Sequence, residues 1–141
     1  MATRALVALS LALAAPLAGC TASRSNTDSS SDFQGANALV ASTIEDLESA
    51  ASKGDEAEIC GQLLAARLVD RLSARGKDCR TVVQDALDDA DSSNLTVESV
   101  RIAGARAVAR VKADTGDRDR IETVGLVRER NRWKVAQLPR A

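Results

Sequence analysis

The apolar period of this chain changes once, and that change limits the folds open to it. Before the polar run Asp91-Ser92-Ser93-Asn94, apolar residues recur every three or four positions. After it they alternate with polar ones. The first spacing puts apolar side chains on one face of a helix, and the second puts them on one face of a strand. Helices come first and strands second, the segregated plan of an α+β domain.

Three helices are expected. Ala36 to Ser52 carries Val40, Ile44, Leu47 and Ala51 in one stripe. Lys53-Gly54-Asp55 ends it, with Gly54 suited to a left-handed C-terminal position and Asp55 to capping the next helix. A second helix is expected in one piece from Glu56 to Ser73, with Ile59, Leu63 and Ala66 in one row and Leu64, Leu68 and Leu72 beside it. Arg75-Gly76-Lys77-Asp78 breaks it. A third runs from Asp78 or Cys79 to about Ala90, with Val82, Val83, Ala86 and Leu87 turned inward.

Four strands follow. Leu95 to Ala103 is rich in strand formers. Its apolar phase slips between Val97 and Val100, which places a bulge at Glu98 or Ser99. Gly104 turns the chain. Arg106 to Ala113 sets Arg106, Val108, Arg110 and Lys112 against Ala107, Ala109, Val111 and Ala113. Asp114-Thr115-Gly116-Asp117 forms a turn. Ile121 to Glu129 and Arg132 to Leu138 flank a tight turn at Arg130-Asn131, with Trp133 and Val135 on one face, and Pro139 ends the last strand. Short loops make neighbours antiparallel, so the strands form a meander.

Residues 1–19 read as an export signal. Arg4 supplies the positive start, and Ala5 to Ala15 is an apolar run with a single Ser. That run is too short to cross a bilayer, which takes about 20 apolar residues. Small residues then lead to a cleavage point. Leu17-Ala18-Gly19-Cys20 resembles the lipobox of bacterial lipoproteins. The resemblance implies removal of residues 1–19 and a diacylglyceryl anchor on Cys20, with fatty-acyl chains such as palmitate. The protein would then be held at the cell membrane, facing outside the cytoplasm. Residues 20–34 would be the lipidated Cys and a disordered Ser-rich tether, and residues 35–141 a single domain.

Composition narrows the chemistry. The chain has no His, no Tyr, one Trp and one Phe. His is the usual general base and the commonest metal ligand near neutral pH. A Ser-His-Asp or Cys-His site is therefore excluded within this chain. The acidic group Asp85, Asp88, Asp89 and Asp91 does not make a calcium loop, because an EF-hand register from Asp89 puts Asn94 where Gly is required and Val100 where Glu is required. Asp114, Asp117 and Asp119 read as a soluble turn. No catalytic residue, metal or cofactor is assigned.

Once Cys20 is given to lipid, Cys60 and Cys79 remain. In an exported chain that even pair reads as a disulfide, with two free buried thiols as the alternative. Charge is uneven although the net is −1: residues 21–94 hold 7 basic and 14 acidic side chains, residues 95–141 hold 11 and 6. Two halves that complement each other account for this, and so does a basic sheet facing anionic lipid or envelope polymer. Nucleic acid is not an expected partner, for want of aromatic residues to stack bases.

The order of these features resembles small actinobacterial lipoproteins of the cystatin-like, nuclear transport factor 2-like superfamily. The shared features run from Ala36 to Leu138: a first helix ending in Lys53-Gly54-Asp55, the pair Cys60 and Cys79, and a closing hairpin of Leu126-Val127-Arg128-Glu129 and Arg132-Trp133-Lys134-Val135. The resemblance implies three N-terminal helices packed on a curved four-stranded antiparallel meander. It also implies an apolar pocket between helix and sheet, with Val40, Ile44, Val100, Leu126 and Trp133 as its lining here. Enzymes of the group, such as ketosteroid isomerase, use an Asp base with a Tyr, and others use His-Asp pairs. With no Tyr or His, that machinery does not carry over. The expected function is non-enzymatic binding of a small apolar ligand or a partner protein. The rivals are an interaction module with a filled core, and an enzyme using carboxylates alone.

Overall fold

The computed structural model describes residues 29–74, 76–89, 94–114 and 119–139. The export segment, Cys20, Asp91, and the Thr115, Gly116 and Asp117 of the third turn lie outside these residues. The architecture is α+β: helical segments precede an open antiparallel sheet of four strands in the order β1-β2-β3-β4. The strands are β1 (Asn94–Ala103), β2 (Arg106–Asp114), β3 (Asp119–Glu129) and β4 (Arg132–Gln137).

Helix α1 (Ala36–Lys53) buries Val40, Ala41, Thr43, Ile44 and Ala50. Gly54 closes it at φ 64°, a conformation that Gly adopts without strain. The Gly54 amide donates to Ala51 O at 3.0 Å, and the Asp55 amide donates to Ala50 O at 2.9 Å. These bonds satisfy carbonyls that a helix end leaves open. The Asp55 carboxylate then accepts from the Glu58 amide at 2.9 Å and starts the next turn.

The second helix is not one piece. It divides into α2 (Glu56–Glu58), a π-helical turn (Ile59–Leu63), an extended pair Leu64-Ala65, and α3 (Ala66–Ser73). The cause is geometric. Leu63, Leu64 and Ala65 are all buried. Successive helical residues stand about 100° apart, so a regular helix would turn one of the three to solvent. Extending the chain at Leu64 buries all three. It also lets the Ala65 amide donate to Val135 O at 2.8 Å, and Leu64 forms a parallel bridge to Val135. The open edge of β4 is partly covered as a result.

Helix α4 (Cys79–Asp88) starts on Asp78, whose carboxylate accepts from the Thr81 amide at 2.8 Å. That bond holds the Asp78 carboxyl below its usual pKa. The inward set expected here is corrected: Val82, Val83 and Leu87 are half-buried, Ala86 is exposed, and Cys79 is the buried residue. The tether is corrected too. Ser29–Asp32 forms a 3-10 turn, the Ser30 amide donates to Glu45 Oε1 at 2.5 Å, and Phe33 packs against the core. The fold therefore starts before Gly35.

In the sheet, β2 shows strict alternation: Ala107, Ala109, Val111 and Ala113 are buried, and Arg106, Val108 and Arg110 are exposed. Register extends this face across the strands, pairing Val97 with Val111, Ala107 with Leu126, Ala109 with Val124, and Leu126 with Val135. The β1 register shifts between Val97 and Ser99, at the expected bulge. Arg130 (φ 47°) and Asn131 (φ 67°) form the left-handed turn that a two-residue hairpin requires. Helix α1 contacts β1, β2 and β4, and its Val40 and Ile44 join the same core as the inner face of the sheet.

The sulfurs of Cys60 and Cys79 lie 2.02 Å apart, at disulfide distance, with Cα atoms 6.1 Å apart. The pair joins the π-helical turn to the start of α4. Closing a loop of separation 19 contributes about 3 kcal/mol by the chain-entropy argument. Urea unfolding with and without reductant is expected to differ by that amount. Equal midpoints would show that the pair carries no stability.

Candidate functional site

Four of the five residues expected to line a pocket form part of the solid interior. Val40, Ile44, Leu126 and Trp133 are 0, 1, 2 and 7% exposed, and Val100 packs half-buried against them. Among the described residues, the surface clefts beside Ser30, Arg71 and Leu39 are not lined by Val40, Ile44, Val100 or Leu126. Trp133 edges one of them.

The first cleft, about 670 Å³, lies between Ser30, Ser31, one side of α1 and Asn94. It is polar, and its carboxylates hold the fold together. Glu45 accepts from the Ser30 amide, and Glu48 Oε1 accepts from the Leu95 amide at 3.0 Å. These bonds tie the 3-10 turn and the start of β1 to α1. The second cleft, about 530 Å³, lies among Arg71, Leu72, Val82 and the ion pair Lys77–Asp85. Asp85 raises the Lys77 pKa through that contact. The pair is exposed, so solvent screens it.

The third cleft is the one that Trp133 edges. This groove of about 540 Å³ runs between α1, the π-helical turn and the β3–β4 hairpin. Leu39 stands on its rim at 61% exposure, and Leu63 and Trp133, both 7% exposed, also line it. An apolar side chain this exposed is out of place on a helix whose other large apolar residues turn inward. Asp46, Glu58 and Arg132 give the groove a charged margin. Arg132 Nη1 donates to Gln62 Oε1 at 3.2 Å, which closes one end. The groove offers apolar surface from Leu39, Leu63 and Trp133 with a polar rim.

Sequence reasoning passed over Leu39. The available signal was its position one residue before Val40, about 100° round the helix from the buried stripe. Among the described residues, no cluster of His, Cys, Asp or Glu is arranged to hold a metal. No described helix is long and apolar enough to cross a membrane. No protein-family model matches the chain, and neither do any curated protein or solved structure.

Proposed function

We propose that the chain is a lipid-anchored, non-enzymatic domain of the cell envelope, held at Cys20 and facing away from the cytoplasm. In this reading the helices and sheet form a cystatin-like cone of the nuclear transport factor 2-like kind. A partner protein docks in the groove beside Leu39. The observation that carries the docking is Leu39, 61% exposed on the rim of a groove that Trp133 also lines. The packing of Val40, Ile44 and Leu126 behind it favours a surface contact over an enclosed apolar ligand.

The anchor rests on the residues around Cys20 and on the pair Cys60–Cys79, whose disulfide distance suits an oxidising compartment. Native mass spectrometry of the protein extracted from its host envelope tests the docking. Wild type is expected to carry a bound protein at fixed stoichiometry, and Leu39→Asp to lose it. Bound lipid of a few hundred daltons would favour the small apolar ligand. A bare chain in both samples would contradict the proposal.

A further inference from the structure

The sheet has a second face, turned away from the helical layer, on which the cations are not evenly paired. On β2 it carries Arg106, Val108, Arg110 and Lys112. Register places Arg101 of β1 directly across from Val108, and Gly125 of β3 on its other side. Arg106 and Arg110 flank Val108 about 7 Å away along the strand. Three arginines thus surround one valine that is 47% exposed, with a residue lacking a side chain as the fourth neighbour.

The acidic groups gather at the far end of the same strand. Lys112 Nζ lies 2.8 Å from Asp119 Oδ2. Asp119 first, then Asp114 and Glu98, raise the Lys112 pKa. Among the described residues, Arg101, Arg106 and Arg110 enter no ion pair. Lys134, also on β4, turns to the edge, its Nζ 3.5 Å from Gly61 O. What remains is an arginine triad around an apolar centre, with Glu98 next to Ser99, the residue that faces Arg110.

From this arrangement we infer that the Arg101–Arg106–Arg110 face docks flat on an anionic phospholipid bilayer, guanidinium groups on phosphate and Val108 toward the acyl boundary. Charge complementarity selects the occupant, since guanidinium pairs with phosphate oxygens in a bidentate fork. Reach permits it. The site rests on the proposed anchor only for proximity: nine residue steps separate Cys20 from Ser29, at most about 32 Å of chain. The turn at Ser29–Asp32 contacts both α1 and β1, the strand that carries Arg101. A domain so tethered cannot leave the surface by more than about its own width. Surface potential falls off over a Debye length, so the triad must come within about 8 Å of the headgroups to feel them.

The test uses the full chain bearing Val108→Trp, purified with its acyl group and reconstituted into vesicles containing dibrominated phosphatidylcholine. With 30% phosphatidylglycerol, the emission added by the new Trp is expected to be quenched. Quenching should disappear at 0.5 M salt and on vesicles of phosphatidylcholine alone. Adding Arg101→Gln, Arg106→Gln and Arg110→Gln should lower the docked-to-free ratio by roughly a hundredfold. Leu39→Trp, on the helical side, should stay unquenched throughout. A chain that floats with the vesicles while Val108→Trp stays bright overturns the docking and leaves the anchor standing. So does equal quenching on neutral vesicles. Salt-sensitive quenching of a chain that carries no acyl label overturns the anchor and leaves the docking standing.

Discussion

Truncating Trp133 to alanine is expected to cost about 4 kcal/mol of folding stability. Trp133 is the largest side chain in the core, 7% exposed, on a strand of six residues at one edge of the sheet. It belongs to a core otherwise built of Val, Ala, Leu, Ile and Cys, and a cavity the size of an indole is not filled by partial relaxation of such side chains. Domains of this size are stable by about 5–15 kcal/mol in total, so the variant should lose between about a quarter and most of its stability. Urea titration followed by circular dichroism measures it. Val108→Ala on the outer face is the control, and a change within about 1 kcal/mol is expected there. A loss below 1 kcal/mol for Trp133→Ala would mean that the indole is a groove surface rather than a core member.

The second large effect concerns Cys20→Ala. If Cys20 bears two acyl chains, each buried CH₂ contributes about 0.8 kcal/mol, and two chains together hold a protein on a membrane where one holds it only marginally. Removing the thiol removes both. The variant, expressed with a non-lipidated signal peptide so that residues 1–19 are still removed, is expected to shift from wholly membrane-bound to wholly soluble after carbonate washing. The domain itself should keep its fold, because the described residues from Val40 to Val135 form one buried core. Fractionation, followed by non-reducing thiol counting to check Cys60 and Cys79, reads both expectations in one sample. A Cys20→Ala chain that stays with the membrane would mean that another contact holds it.

How much of this was legible from residues alone followed the range of the contacts. The end of α1 at Gly54, the bulge beside Glu98 and the turn at Arg130-Asn131 are set by residues a few positions apart, and each appears where the local pattern puts it. The alternation of β2 was equally plain, because four small or branched apolar residues at period two permit one buried face. The break at Leu64-Ala65 was not legible. It depends on Val135, about seventy positions away, whose carbonyl takes the Ala65 amide. Gly61 and the run Leu63-Leu64-Ala65 were its only local marks. Likewise, the turn at Ser29–Asp32 is held by Glu45 from α1, so a serine-rich stretch that reads as a tether is partly folded.

The same rule separates the site from the core. An apolar residue on a helix can be read as buried or exposed only by its angle to the stripe, and Leu39 sits off it while Val40 sits on it. The pocket expected among Val40, Ile44, Val100, Leu126 and Trp133 named residues that do meet, but they meet as packed core. Apolar pattern specifies which side chains converge. Whether a space is left among them depends on side-chain volume and backbone distance, which no one-dimensional spacing records. The arginine triad depends on register, since Arg101 faces Val108 because the tight turn between Ala103 and Arg106 sets the pairing of β1 with β2.

The proposed membrane attachment through Cys20 is the central claim, and the mass of the processed N-terminal peptide tests it most directly. Protein purified from membranes and digested with trypsin should yield a first peptide that begins at Cys20 and carries the added mass of a diacylglyceryl group. A tryptic peptide running from Ala5 through Cys20 to Arg24, or one that starts at an unmodified Cys20, would contradict the account.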